Sequence, residues 1–357
     1  MEDILAKLVS FQPVTGSAQA SHELVEYVAR FVSRRGMHVE RYVSNGFESL
    51  VATTKPGDKT PTVMLAAHGD VVDAPEEEFA IRKEGDRIYG RGVKDMLFAL
   101  AGFLQIVDDL GGDLLSHSLG LMLTTDEENG GFNGVNVLVQ EGYRPKVVIL
   151  PDGGENWQVQ TDCKGVYMPQ ITAIGAACHS SRHWEGDNAL ERLLTVIPRL
   201  HALFPDEQGP DTNTISVNII NAGYSLSRVP DRATLTADIR TLDFNEHQRI
   251  KIAVASICEE LGLELDANAE GLPTHFDLAD PMIAPYVRLM ESTIGIRIHG
   301  SKTLASNDAR FMAPYGIPCI SFYPPGEGHH SSNEWISAQG FQQFHDITLE
   351  YVRQMAR

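Results

Sequence analysis

The first part of the chain alternates apolar runs with amphipathic helical stretches. Apolar positions at helical spacing over 21–36 predict a helix that is capped by Ser21 and ends at Gly36. Short uninterrupted apolar runs predict buried strands at 62–67, 119–123 and 146–150. This alternation predicts an α/β fold whose catalytic domain has a mainly parallel sheet with helices on both faces.

The pattern changes after about residue 163, where apolar and polar side chains alternate strictly along the predicted strands. The element order over 164–271 predicts a βαββαβ, ferredoxin-like unit, and Pro198 should interrupt its first helix. Helical and apolar stretches like those of the first part return after this unit. The simplest interpretation is one domain formed by residues 1–163 and 272–357, interrupted by an inserted domain of residues 164–271.

Composition narrows the possible partners and the cellular location. The 48 acidic and 29 basic residues give a formal net charge of -19, which argues against nucleic acid because phosphate backbones would be repelled. The 4 cysteines are scattered and form no CxxC pair, so neither a disulfide framework nor a thiolate zinc site is expected. The first residues lack the pattern of an export signal, and no apolar run reaches about 18 residues. We therefore expect a cytoplasmic protein without a membrane span.

A histidine and an acid directly follow the first predicted buried strand, in the segment His68-Gly69-Asp70. Residues two apart in an extended segment project to the same side, so one can bind a metal while the other holds its imidazole ring. A histidine beside an acid in the core or on the surface is the alternative interpretation of this motif alone.

Two further acidic motifs each allow a metal-binding interpretation and an ordinary structural one. Asp95 stands between a Gly-rich turn and a predicted helix, where it could cap the helix or give one oxygen to each of two metal ions. The pair Glu127-Glu128 follows the second strand, where it could be a solvated acidic face. Alternatively, one of these carboxylates binds metal while its neighbour takes a proton from water.

Asp152 follows the third strand in a Pro-Asp-Gly-Gly turn, and His330 lies in a loop near the C-terminus. Each could be an ordinary turn or loop residue. Acids or histidines recur directly after several predicted strands, and this recurrence favours a common site, because ligands in α/β sheets bind outside the carboxyl ends of the strands. Histidines and carboxylates without thiolates suit two divalent ions, zinc first, with manganese or cobalt possible.

Over essentially its whole length the chain resembles the two-zinc metallopeptidase family of aminoacylase, acetylornithine deacetylase, succinyl-diaminopimelate desuccinylase and glutamate carboxypeptidase. The motifs that carry the resemblance are HGD at 68–70, GRGVKDM at 90–96, DEENGG at 126–131, PDGG at 151–154, KGVYM at 164–168, HSSRHWEGDNA at 179–189, SNDARF at 306–311 and HSSNE at 330–334.

The resemblance implies a role for each candidate residue of the metal site. His68 and Asp152 would bind one metal ion, Glu128 and His330 the other, and Asp95 would bridge them. Glu127 would act as general base and then as general acid, and Asp70 would orient His68. The peptide bond after Asp95 is typically cis in relatives.

The inserted domain is similar to the lid or dimerisation domain of the same family. His179 matches a histidine that reaches the active site of a neighbouring subunit and stabilises the oxyanion, which implies a homodimer. His183 is the less favoured choice, and a plain loop histidine is the alternative.

Family substrates usually carry a free carboxylate, and Arg240 and Arg228 are the candidates to bind it. A surface arginine paired with a neighbouring acid is the alternative for Arg240. The chain departs from the common family pattern at Arg228, where Asn is frequent, at Ala305, where Gly is frequent, and at Asp152, where many deacylases have Glu. The DMKGG motif of many members is replaced by residues 95–99, DMLFA.

The sequence therefore predicts a two-metal hydrolase that cleaves a peptide or N-acyl amino acid amide bond through a metal-bridging hydroxide, with Glu127 as base and acid. Its partner would be a small-molecule substrate with a carboxylate. The alternatives are hydrolysis of another C–N bond or of a phosphoester, and a non-catalytic protein that keeps the metal-binding scaffold. Basic residues do not cluster at these motifs, which disfavours a phosphoester substrate.

Overall fold

The computed structural model describes residues 1–303 and 306–357, so the departure noted at Ala305 lies outside the described residues. The helices are α1 Glu2–Val9, α2 Ala18–Ser33, α3 Leu97–Asp109, α4 Val135–Gln140, α5 Ala189–Leu194, α6 Val196–His201, α7 Phe244–Leu261, α8 Ala284–Ile294, α9 Ala309–Met312 and α10 Ala338–Met355. The strands are β1 His38–Ser44, β2 Phe47–Thr53, β3 Val63–His68, β4 Arg82–Glu84, β5 Arg87–Tyr89, β6 Leu119–Thr124, β7 Val147–Ile149, β8 Val159–Cys163, β9 Gly165–Ile174, β10 Thr214–Ala222, β11 Arg232–Thr241, β12 Glu264–Gly271, β13 Thr274–His275, β14 Gly300–Thr303, β15 Cys319–Ile320, β16 Gly326–Glu327 and β17 Trp335–Ser337.

The chain forms two compact units of a mixed α/β fold. The first unit consists of Met1–Asp162, His275–Thr303 and Asn307–Arg357, and the second is formed chiefly by Cys163–Thr274. Within residues 1–303 and 306–357, no helix has the length and apolar character needed to cross a bilayer.

The first unit is built on a six-stranded sheet with the order β1-β2-β6-β3-β7-β15. Strands β6, β3, β7 and β15 are parallel, as their uninterrupted apolar sequences predict, and every residue of β3, β6 and β7 is buried. Helix α2 packs on β1 and β2, and α3 packs on β3 and α10.

The antiparallel hairpin at the edge of this sheet was not predicted. Strands β1 and β2 pair over their full length, and β2 continues the sheet antiparallel to β6. Their two-residue turn is Asn45-Gly46, with φ of 46° and 85°. Positive φ at both central positions is the preference that makes Asn-Gly a hairpin turn. The signal was therefore present in the sequence, but the mixed polarity of β1 hid it.

The second unit contains a four-stranded antiparallel sheet with the order β10-β11-β9-β12. Alternate residues of β11 are buried, so this sheet buries one face, on which α5 and α7 pack. The predicted first helix is divided into α5 and α6 at Thr195. Pro198 lies in the first turn of α6, where the missing N–H costs no helical hydrogen bond.

Candidate metal centre

Three neighbouring parallel strands end at the candidate site. His68 is the last residue of β3, Glu127 and Glu128 lie in a single helical turn just after β6, and Asp152 follows β7. Because β6, β3 and β7 are adjacent and parallel, their carboxyl ends share one edge of the sheet. This topology brings together side chains that are up to 84 residues apart in the chain (152 minus 68).

Two loops supply the remaining candidate ligands. Asp95 precedes α3, and the Asp95–Met96 peptide bond is cis, as the family resemblance implied. His330 lies in the loop between β16 and β17 and has a φ of 61°, a backbone conformation that is uncommon outside glycine. Neither position follows from the order of the central strands.

The carboxylate of Asp95 lies between two imidazole rings. Its Oδ1 is 3.2 Å from Nε2 of His68, and its Oδ2 is 3.2 Å from Nε2 of His330. Each oxygen therefore faces a different histidine, the arrangement that a carboxylate bridging two metal ions requires.

The atoms that could bind metal form two groups, and Asp95 belongs to the second. Atoms of His68, Glu127 and Asp152 lie within 4.8 Å of one another, and so do atoms of Asp95, Glu128 and His330. In the second group, Nε2 of His330 is 3.1 Å from Oε1 and 3.0 Å from Oε2 of Glu128. Each group offers nitrogen and carboxylate oxygen donors, which suit zinc, manganese or cobalt.

Asp70 is fully buried and holds the edge of the site together. The Nδ1 of His68 lies 2.9 Å from the main-chain oxygen of Asp70 and 3.5 Å from its Oδ1, so the carbonyl is the nearer partner. The Asp70 carboxylate accepts hydrogen bonds from the backbone N–H groups of Glu127 and Glu128, both at 3.2 Å, and from the hydroxyl of Thr15 at 2.9 Å. Asp70 thus contacts the backbone of both glutamates and the ring of His68.

The electrostatics of the site indicate an excess of negative charge. Burial, and next the charge of Asp152, raise the pKa of Glu127 well above its usual range. Burial and the charge of Asp95 raise the pKa of Asp152 to about 6. Contacts with Asp95 and Glu128 raise the pKa of His330 to about 10. Carboxylates that are buried and crowded in this way are stabilised when cations lie between them.

One buried oxygen of the candidate site is consistent with a bound metal ion. Oδ2 of Asp152 is buried and has no hydrogen-bond partner in the described part of the chain. A buried carboxylate oxygen without a partner is costly unless a cation or water satisfies it. The donor set and this oxygen together fit divalent metal ions.

The comparison with known families agrees with this geometry. A model of peptidase family M20/M25/M40 matches residues 64–354. The chain belongs to this family. The resemblance identified from the motifs is thereby confirmed, and this M20/M25/M40 member is a metal-dependent hydrolase of the metallopeptidase type.

Several known proteins are similar to this chain over nearly its full length. Succinyl-diaminopimelate desuccinylases of a Sulfurovum species and a Nitratiruptor species are 24% and 23% identical, with 98% of this chain and 98% of each relative covered. A tripeptidase from Staphylococcus aureus subsp. aureus Mu50 has a TM-score of 0.77 at 17% identity, covering 100% of this chain and 98% of that chain. An M20 family metallo-carboxypeptidase from Sulfolobus solfataricus has a TM-score of 0.78 at 17% identity, with both chains covered completely.

The three remaining candidates of this M20 chain lie in the second unit. His179 is exposed, and its Nδ1 accepts a hydrogen bond from the backbone N–H of Ser181 at 3.2 Å. A backbone bridge pairs His179 with Arg228, whose guanidinium donates to Asp231 at 2.5 Å. Arg240 forms a two-pronged ion pair with Asp238, at 2.6 and 2.9 Å. Both arginines thus have an acidic partner close by in sequence.

Sequence reasoning missed two buried residues that contact the ligands. Glu334 accepts hydrogen bonds from the backbone N–H groups of Gly92, Lys94 and Asp95 at 2.8 to 3.1 Å, and burial raises its pKa to about 7. The hydroxyl of Tyr323 contacts both Asp95 and Asp152. Glu334 belongs to the HSSNE motif and could have been suspected from it. Nothing local distinguished Tyr323 from an ordinary end of a strand.

Proposed function

We propose that this M20-family chain cleaves an amide bond, in a peptide or an N-acyl amino acid, with two divalent metal ions and with Glu127 as the proton carrier. The observation that carries the proposal is the Asp95 carboxylate, with one oxygen 3.2 Å from His68 and the other 3.2 Å from His330. His68 and Asp152 would hold one ion, Glu128 and His330 the second, and Asp95 both. Zinc is the favoured metal.

When bound, the ions would lower the pKa of a water molecule and polarise the carbonyl group of the substrate. Glu127 is the side chain best suited to move the proton. It lies beside His68 and Asp152, and burial, followed by the charge of Asp152, raises its pKa above the usual value, which favours a carboxylate that can both accept and return a proton. It would take the proton from the attacking water and then donate it to the departing nitrogen.

Asp70 would keep Glu127 in place during this transfer. Its carboxylate accepts from the backbone N–H groups of both Glu127 and Glu128, and so fixes the main chain from which the two side chains extend. The proposed metal ligand and the proposed proton carrier therefore share one backbone anchor.

The second unit would supply contacts with the substrate. His179 is exposed and would stabilise the oxyanion of the tetrahedral intermediate. Of the two arginines, Arg228 is the stronger candidate to bind a substrate carboxylate, because it donates to Asp231 through one terminal nitrogen. Arg240 gives both Nε and a terminal nitrogen to Asp238, so a substrate would have to displace that acid.

We also infer that the protein forms a homodimer through the second unit. Strand β10 is an edge strand of its sheet, and Ile219 and Ile220 on it are 51% and 41% exposed. An edge strand with exposed apolar side chains is suited to pairing with another chain. Sedimentation analysis at micromolar concentrations tests this inference, and a monomer at every concentration would contradict it.

The decisive variant for the reaction is Glu127→Gln. It removes the proton carrier but keeps the shape, so turnover should fall by about 10²–10⁴-fold while the metal content is unchanged. Suitable substrates are N-succinyl and N-acetyl amino acids, dipeptides and tripeptides, with amine release measured on metal-reconstituted protein. Glu23→Gln, an exposed position on α2, is the control and should behave as wild type.

Full activity of Glu127→Gln would rule out its assigned role. Release of phosphate from simple esters without cleavage of any amide would favour the phosphoester alternative. Two bound metal ions without turnover on the whole panel would favour a non-catalytic scaffold.

A further inference from the structure

The hydroxyl of Tyr323 lies between two of the proposed metal ligands. It is 3.1 Å from Oδ1 of Asp95 and 2.6 Å from Oδ1 of Asp152; because it carries one proton, it donates chiefly to the nearer Asp152 oxygen and shares that proton with Asp95. Tyr323 follows β15, Asp152 follows β7 and Asp95 precedes α3, so this one hydroxyl joins three separate segments of the first unit.

The ring that carries this hydroxyl is held on several sides. Tyr323 is 6% exposed, its ring centroid is 6.5 Å from that of Phe98, and the His329 ring stacks on it at 6.3 Å. The ammonium group of Lys94 lies 4.8 Å from the ring centroid, a distance at which a cation is attracted to an aromatic face. The packing of the ring therefore restricts the position of the hydroxyl.

The two contacts decide which carboxylate oxygens remain available. Oδ1 of Asp152 faces Tyr323, while Oδ2 is buried without a hydrogen-bond partner among the described residues. Oδ1 of Asp95 faces Tyr323 and His68, while Oδ2 faces His330. A donor placed between two acids also reduces the repulsion between them.

We propose that Tyr323 is a positioning residue that holds Asp95 and Asp152 together and leaves Oδ2 of Asp152 as the oxygen that binds metal. This inference rests on the proposed two-metal function. Tyr323 contacts Asp152 but neither Glu128 nor His330 is among its hydrogen-bond partners in the described structure, so its effect should fall mainly on the ion held by His68 and Asp152.

The test is Tyr323→Phe, which removes the hydroxyl and keeps the ring. Metal-free protein is titrated with Zn²⁺ in competition with a chromophoric chelator, and with Co²⁺ while the visible absorption is recorded. One of the two ions should bind about 10–100-fold more weakly, the usual effect of removing a residue that orients a ligand, and the Co²⁺ spectrum of that site should change. The second ion should bind as in wild type.

Tyr286→Phe is the matched control, since Tyr286 is a fully buried tyrosine of the same unit whose hydroxyl contacts Thr348 at 2.7 Å. It should leave both affinities and the Co²⁺ spectrum unchanged. Thermal unfolding of both metal-free variants shows whether either substitution disturbs the fold itself.

The outcomes separate this inference from the function on which it rests. If wild type binds two ions and Tyr323→Phe binds them with the same affinities and spectrum, the role of Tyr323 is wrong and the proposed function stands. If wild type binds no metal, both are wrong. Equal weakening of both ions together with a lower unfolding temperature of the metal-free variant would also overturn the positioning role, because it would indicate general destabilisation.

Discussion

Two buried histidines, one in each unit, have almost the same immediate geometry and opposite surroundings. Nε2 of His68 is 3.2 Å from a carboxylate oxygen of Asp95, and Nε2 of His247 is 3.2 Å from a carboxylate oxygen of Glu270. His68 is 1% exposed and His247 is 0% exposed. The pairwise contact alone therefore does not distinguish a candidate metal ligand from a structural histidine.

The neighbours of each carboxylate make the difference. Glu270 also receives the ammonium group of Lys251 at 2.6 and 2.7 Å, and Nδ1 of His247 contacts the hydroxyl of Thr241 at 2.9 Å. Charge and hydrogen bonding are balanced there, and burial lowers the pKa of His247. Around His68, by contrast, burial alone would lower its pKa, but Asp70 and Asp95 raise it well above the usual value.

Unbalanced carboxylate charge therefore distinguishes the candidate site more clearly than a buried histidine does. Asp95, Glu127 and Asp152 converge on His68, and a buried oxygen of Asp152 has no partner in the described residues. A core histidine beside an acid was the alternative interpretation of the HGD motif. His247 shows what such a histidine looks like in this protein, with its charge and hydrogen bonds satisfied by its neighbours.

The largest expected difference between the two regions follows from removing the acid of each pair. Asp95→Asn should remove the bridge, lower the metal content and reduce turnover by about 10³-fold, since metal ions stabilise the transition state by several kcal/mol. Glu270→Gln should leave metal content and turnover unchanged and cost roughly 0.2–1 kcal/mol of unfolding free energy, because the Lys251–Glu270 ion pair is partly exposed and glutamine can still contact His247. Metal analysis, initial rates and denaturant unfolding check these outcomes. Metal loss in Glu270→Gln would remove the distinction between the regions.

A smaller effect on metal binding is expected from Glu334→Gln, because Glu334 contacts the backbone of Asp95 and is not itself a proposed metal ligand. The amide would place N–H groups against the backbone donors of Gly92, Lys94 or Asp95, so the Asp95 loop should loosen and metal affinity should fall by about 10–100-fold. Chelator competition measures this affinity.

Glu78→Gln is the control for this variant. The side chain of Glu78 contacts Arg91, as that of Glu334 does, but only through Nη2 at 3.2 Å. The main-chain oxygen of Glu78 accepts from the backbone N–H of Arg91 at 2.8 Å, and the substitution leaves this hydrogen bond in place. It should leave the metal affinity close to that of wild type, because the Glu78 side chain contacts Arg91 and none of the proposed metal ligands. An equal loss in both variants would assign the effect to Arg91.

The smallest effect is a pH dependence that separates the two histidine environments. In the metal-free protein the pKa of His330 is raised to about 10, so its ion pair is fully present below the unfolded value of 6.5 and is lost as pH rises through about 10. Metal binding must displace this proton, so affinity should rise about tenfold per pH unit for each proton released. The pKa of His247 is lowered, so His247 should release no proton when metal binds. Its contribution to folding stability is present above pH 6.5, the unfolded value, and is lost as the pH falls through its lower folded pKa.

Calorimetric titration with Zn²⁺ at neutral pH, in buffers with different ionisation heats, counts the protons released. His247→Gln should release the same number as wild type. Affinity that does not change with pH would contradict the protonated state of His330 in the metal-free protein.

The sequence by itself determined the class of the fold and the candidate residues of the proposed site. Buried parallel strands have continuous apolar sequences. Acids or histidines that directly follow such strands must meet at one edge of the sheet. That physical rule is local in sequence, so His68, Glu127, Glu128 and Asp152 could be predicted from single segments. The hairpin at Asn45-Gly46 was also encoded locally, although it was missed.

Only the tertiary structure decided which groups hold those residues. The contact of Tyr323 with Asp95 joins positions 228 residues apart, and that of Glu334 with Asp95 joins positions 239 apart. Such contacts depend on how loops pack over the sheet edge, and periodicity carries no information about that packing. The same holds for His68 and His247, because the charge around a buried ring is the sum over segments that meet only in the folded chain.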